Sequence, residues 1–178
     1  MTKFDPSEDV RIQRTRTALT DAFFKLVLSK PYGEISVNGI VSTAGVGRST
    51  FYQHFSSKDD ILLYSLAWPM SVLAYAAKKN TNKKEIEAIL EHFWKNRSLA
   101  RHVFTGTTRK VAVKTLAKEL EKNAENYPFH ISKEFYFEGM AEMLISLITA
   151  WLTGRVQCSA EELVVDIVKL LNSILYQL

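Results

Sequence analysis

The chain has 178 residues, of which 47% are hydrophobic and 24% charged, with only seven glycines and four prolines. That composition supplies one sizeable core, excludes a disordered or low-complexity chain, and favours long helices over many short strands. The net charge of +4 is unevenly spread: residues 1–58 hold eight Lys/Arg against five Asp/Glu, and the remainder holds fifteen against fourteen.

The elements read as helices in chain order. The first is expected from about Glu8 to Ser29, with Leu19, Ala22, Phe23, Leu26 and Val27 as its apolar stripe. Glu8 and Asp9 suit its positive end, and Pro31-Tyr32-Gly33 stops it. Ser36 caps a second helix, with Ile35 and Ile40 as a hydrophobic staple and Gly45 as its left-handed end. A short third helix covers about Arg48 to His54, capped by Gly47. Ser57 with Asp60 opens a long fourth helix as an acidic variant of the capping box, and Pro69 inside it predicts a kink. Asn82 with Glu85 opens a fifth helix, and Ser98 a short sixth. Gly106-Thr107-Thr108 separates that from a seventh, Arg109 to about Asn126, which Tyr127-Pro128 ends. An eighth runs from about Lys133 to Leu152, and Ser159 with Glu162 is a capping box for a ninth. Nothing alternates at period two for the length of a strand, so the expected fold is all-α with about nine helices.

The informative stretch is Ser36 to Lys58. Two short helices joined by a turn on Ala44-Gly45-Val46 meet the physical requirement of a helix-turn-helix. Ile40, Val41, Ala44, Val46, Phe51 and Phe55 can fill the small core. With Phe51 inward, a helical advance points Ser49, Thr50, Tyr52 and Gln53 outward and puts Arg48 at the flank. Hydroxyls, an amide and a guanidinium on one face suit base edges and phosphates. The positive N-terminal third fits a phosphate-binding head or is chance.

The segment resembles the DNA-binding signature of the tetracycline-repressor (TetR) family in its Ala44-Gly45-Val46 turn, its Thr50-Phe51-Tyr52-Gln53-His54-Phe55 run and its Ser57-Lys58 pair. The resemblance implies a three-helix head over residues 1–56 and a ligand-binding and dimerisation domain over 57–178. It further implies a homodimeric repressor that binds an inverted-repeat operator in double-stranded DNA and answers to an unidentified small-molecule effector. Tyr52 and Lys58 match phosphate-holding positions, and Ser36 and His54 match backbone-contacting ones. Arg48, Ser49, Thr50 and Gln53 match groove-facing positions, with Asn38 near the DNA. Arg48 either takes guanine O6 and N7 or holds a phosphate. Two residues depart from the family pattern: Gly39 stands where a larger residue is usual, and Gly47 replaces a Ser-like cap.

The resemblance also assigns the later helices to effector binding and dimerisation. Met143, Leu147 and Trp151 on the eighth helix, and Leu163, Ile167, Leu170 and Ile174 on the ninth, form broad stripes. These bury against a partner as a two-fold four-helix bundle or are core within one chain. Trp68, Phe93, Trp94, Phe104 and Phe135 are candidates for a pocket lining or plain core. Lys110, Lys114, Lys118 and Lys122 form a basic stripe at four-residue spacing, read as a solvated face.

Enzymatic, metal and cofactor chemistry are not expected. His54, His92, His102 and His130 are scattered, and no phosphate loop, paired-cysteine motif or Gly-x-Ser-x-Gly occurs. The single cysteine, Cys158, cannot close an internal disulfide and fits a reducing cytoplasm. The N-terminus lacks a signal-peptide stretch. No apolar run approaches the roughly 18 residues of a membrane span, since the richest, Met143 to Leu152, is broken by Ser146 and Thr149. A cytoplasmic protein with no membrane partner is the expectation.

Overall fold

The computed structural model describes residues 10–124 and 131–176. Nine α-helices and no strand occur among them: α1 (Val10–Ser29), α2 (Val37–Ala44), α3 (Arg48–His54), α4 (Lys58–Leu73), α5 (Lys83–Lys95), α6 (Arg97–Val103), α7 (Gly106–Asn123), α8 (Lys133–Leu152) and α9 (Ala160–Tyr176). Single 3-10 turns lie at Tyr32–Glu34 and Ala74–Ala77. Glu8, Asp9, Asn126, Tyr127, Pro128 and His130 lie outside the described residues. The chain divides into two compact units, one ending at Trp68 and the other starting at Pro69.

In the first unit, α1 lies against α2 and α3, and α2 against α3. Leu19, Ala22, Phe23 and Val27 of α1 are buried, as are Ile35, Ile40, Phe51, Phe55, Ile61 and Leu62. Val41, Ala44 and Val46 are only half-buried, because the two-helix turn is too small to cover them fully. The Ser36 hydroxyl accepts from the Gly39 N–H at 3.2 Å, and both staple residues are buried. Local sequence therefore sets this helix start.

The start of α4 differs by one residue from the sequence reading. Ser57 Oγ accepts from the Asp60 N–H at 3.2 Å as expected, but the Asp60 carboxylate accepts from the backbone N–H and hydroxyl of Ser56. These bonds hold the Asp60 carboxyl below its ordinary range. Pro69 stands inside α4, where it has no N–H to offer the carbonyl four residues earlier.

Gly39 needs no special backbone, and a Cβ there would meet Ser36 Oγ at 3.5 Å, Leu26 Cδ1 at 3.7 Å and Lys30 Nζ at 3.9 Å. All three are ordinary contacts, so the helix-propensity cost of glycine is not forced by crowding. Gly39→Ala should therefore stabilise the first unit by about 0.5–1 kcal/mol. Gly45→Ala should destabilise it, because Gly45 has φ of +68°. Opposite shifts of the urea midpoint for the two variants would meet this expectation. A loss from both would mean Gly39 is held to glycine by something other than local sterics.

In the second unit α7 packs on α8, α6 on both, and α5 on α9, with the Ala74–Ala77 turn against α5, α7 and α9. Asn82 caps α5 by accepting from the Lys84 N–H at 3.2 Å, and Ser132 caps α8 by accepting from the Phe135 N–H at 3.2 Å. Ser159 and Glu162 form the reciprocal box at α9, with bonds of 2.8 and 3.1 Å. Two boundaries fall elsewhere than expected. Asn96, not Ser98, stands before α6. Gly106-Thr107-Thr108 is the first turn of α7 and not a break, because buried Thr108 donates to the carbonyls of His102 (2.9 Å) and Thr105 (3.0 Å). Arg109 then clamps α7 to α8 through Glu142 and, at 3.0 Å, Ser146.

Two helical stretches, Lys58–Ala77 and Lys133–Leu152, reach the lower bound of length and mean hydropathy (1.3 and 1.2) for a membrane span. Counting unbroken apolar runs misses them, since serines and threonines lower a mean only slightly. About half of each (50% and 56%) is buried inside the fold, the pattern of a core helix.

Candidate nucleic-acid interface

The turn between α2 and α3 is built entirely from backbone. Gly45 adopts the left-handed conformation, its N–H reaching the Ser42 carbonyl at 3.4 Å and that of Val46 the Val41 carbonyl at 3.1 Å. These are the two bonds that close a helix end of this kind. Extended Gly47 then starts α3, and the Phe51 N–H bonds its carbonyl at 3.1 Å. Phe51 is fully buried, with its ring 5.2 Å from Tyr52 and 6.2 Å from Phe55. Anchoring that single residue fixes which side of α3 faces out.

That side carries Arg48, Ser49, Tyr52 and Gln53, all exposed, while Thr50 and His54 are half-buried at its margins. The Arg48 guanidinium lies 5.7 Å from the centre of the Tyr52 ring and 3.4 Å from its hydroxyl. A cation over an aromatic face is attracted by the ring quadrupole, so the pair is arranged in advance. Bare Gly47 leaves its backbone open beside the Ser49 and Thr50 hydroxyls, each 3.7 Å from where a Cβ would be. Asn38 is exposed in the first turn of α2, close to the Ser36 cap.

Lys58 is engaged elsewhere in its own unit. Its ammonium donates to the carbonyls of Tyr32 (2.7 Å) and Ile35 (2.9 Å), with Gly33 at 3.4 Å, and lies 4.5 Å from the centre of the Tyr32 ring. The Tyr32 hydroxyl donates to Asp59. Burial and that carboxylate push the Tyr32 phenol well above its ordinary range. Sequence reading missed Tyr32, because no local pattern signals a contact across 26 residues.

The second unit scatters the aromatic candidates. Phe93 and Phe104 are buried edge-to-face at 5.2 Å. Trp94, 41% exposed, stacks at 4.8 Å on Trp151, with the Arg97 guanidinium 5.4 Å from its ring centre. Phe135 is 76% exposed, and Trp68, in the other unit, is half-buried. Three of the five candidates thus lie in two packed ring contacts, Phe93 with Phe104 and Trp94 with Trp151. An open groove of about 770 Å³ lies on α9, lined by Asp166, Lys169, Leu170, Asn172 and Tyr176 among others. Of the interface candidates, Trp151, Leu163 and Ile167 are buried within the single chain, while Met143, Leu147, Leu170 and Ile174 stay partly open.

Residues 19–64 match the model of the bacterial regulatory proteins of the tetR family. The HTH-type transcriptional regulator YwcC of Bacillus subtilis (strain 168) is 39% identical over 57 residues, a match covering 32% of this chain and 26% of that protein. Among solved structures, a TetR transcriptional regulator from Streptococcus agalactiae 2603V is similar over 90% of this chain and 95% of its own, with 24% identity and a TM-score of 0.60. The dihydroxyacetone kinase operon activator DhaS is similar over 90% and 96%, with 21% identity and a TM-score of 0.51. At these identities the structural likeness is one of fold. Residues 19–64 thus carry the helix-turn-helix sequence of the tetR family of bacterial regulatory proteins, and the chain is similar in fold, over 90% of its length, to a TetR transcriptional regulator.

Proposed function

We propose that the chain is a cytoplasmic, ligand-responsive transcriptional repressor that binds an inverted-repeat operator as a homodimer. The observation carrying this reading is the polar face of α3, held outward by buried Phe51. Arg48, Ser49, Thr50 and Gln53 would meet base edges, and Tyr52, His54, Ser36 and Asn38 the sugar-phosphate backbone. Partly open Met143, Leu147, Leu170 and Ile174 supply apolar area for a second copy, and two-fold symmetry then mirrors the operator. Repression is the family's usual mode and is adopted on that resemblance, although the fold neighbour DhaS is named an activator. An effector that favours the DNA-free form must lower operator affinity by the factor by which DNA lowers its own.

Selection of random duplexes by the purified chain tests the reading. An enriched inverted repeat, bound far more tightly than random DNA, is the expected result, and no enrichment would overturn it. With that operator in hand, Arg48→Ala should relax discrimination at one or two base pairs by about 1–3 kcal/mol if Arg48 reads guanine. A uniform loss across sequences with a shallower salt dependence would make Arg48 a phosphate contact instead.

A further inference from the structure

The start of α4 is tied to the segment that leads into α2 by a set of long-range polar contacts. An ammonium has three N–H donors, and Lys58 has three carbonyls in reach, those of Tyr32, Gly33 and Ile35. Its charge also lies over the Tyr32 ring. The next residue, Asp59, takes the Tyr32 hydroxyl. The ring itself meets Phe23 edge-on at 6.2 Å, so the clamp is anchored on a fully buried side chain of α1. Ile35, whose carbonyl Lys58 holds, immediately precedes the Ser36 cap that starts α2. The position of α4's first turn and the start of the helix-turn-helix are thereby fixed relative to each other.

We propose that Lys58, Asp59 and Tyr32 form a clamp that positions the reading helices, and that Lys58 serves recognition through this clamp and not as a phosphate contact. The proposal rests on the DNA-binding reading above. A lysine whose donors are spent on carbonyls adds little to the counterion release that phosphate contacts produce. Its loss instead lets the entry to α2 shift, which harms base readout more than non-specific attachment. Half-buried Tyr32 donates its hydroxyl to Asp59, and burial with that carboxylate raises its phenol above the ordinary range, so the donor keeps its proton.

The experiment uses the full chain and two variants, Lys58→Met, which keeps the aliphatic stem, and Tyr32→Phe, which removes one oxygen. Affinity is measured by anisotropy for the selected operator and for a random duplex across a salt series, alongside a thermal melt. Both variants should lose operator affinity by about tenfold, as for a hydrogen bond to a charged group, while random-duplex affinity and its salt slope stay near wild type. A salt slope reduced by about one phosphate in Lys58→Met, with equal losses on both duplexes, would overturn the clamp in favour of direct contact. A lower melting temperature with an unchanged operator-to-random ratio would reduce it to a purely structural tie and equally overturn it. If Lys58→Met fails to fold, Tyr32→Phe decides alone. A wild-type chain that binds neither duplex removes the DNA-binding reading itself, and that failure is seen before any variant is made.

Discussion

Phe51→Ala should abolish DNA binding and cost the N-terminal unit about 3–5 kcal/mol. Phe51 is fully buried, and its ring is the contact between Tyr52 and Phe55. Alanine leaves a void on the short α3, which has seven residues and little stability of its own. A unit of this size has a total stability of roughly 0.05–0.15 kcal/mol per residue, so the loss is comparable to everything it has. Urea unfolding followed by far-ultraviolet circular dichroism, with anisotropy on a duplex, measures both effects. Phe51→Leu, which keeps most of the volume, should cost far less and retain binding. If the alanine variant unfolds within about 1 kcal/mol of the parent, Phe51 is not the residue that orients α3, and the outward face assigned here loses its basis.

Trp151→Ala should have the largest effect in the C-terminal unit, and Trp94→Ala a small one, although the two rings touch. Trp151 is 3% exposed and its indole N–H donates to the Cys158 carbonyl at 2.9 Å. Truncation removes a large buried side chain, about 3–5 kcal/mol, and leaves that carbonyl short of a partner. Trp94 is largely a lid, and its stacking is worth about 0.5–1.5 kcal/mol. Trp151→Phe separates the two contributions, since it keeps an aromatic ring and loses the N–H. Calorimetric melts of the three variants should rank Trp151→Ala below Trp151→Phe below Trp94→Ala. The reverse order of the two alanine variants would mean that the ring treated as core is the exposed one.

Much of the fold is legible because its signals are local. Ser36, Asn82 and Ser159 satisfy helix amides two or three residues away, a relation visible in the string of letters. The same holds for Gly45, whose left-handed backbone only glycine adopts cheaply. Where a boundary depended on something further off, the sequence reading slipped. Thr108 belongs to a helix because its hydroxyl reaches back to His102, and Asp60 turned to Ser56 in place of Ser57. Lys58 matched a phosphate-holding position in the sequence, and only folding brings Tyr32 to it. Helical periodicity likewise marked the stripes on α8 and α9 without telling their two sides apart. Trp151, Leu163 and Ile167 point into their own unit, while Met143, Leu147, Leu170 and Ile174 remain partly open. Hydrophobicity ranks residues by what they avoid and says nothing about which neighbour covers them.

The stacked indoles have a consequence for anyone following this protein spectroscopically. Trp94 and Trp151 lie 4.8 Å apart with their planes at 36°, close enough for their excited states to couple. The third tryptophan, Trp68, is the last residue of the N-terminal unit, and none lies within the helix-turn-helix. Intrinsic fluorescence is therefore weighted towards the C-terminal half of the chain. Of the three indoles only Trp68 shares a unit with the DNA-reading helices, so a dye or an engineered indole near α3 would report on them more directly.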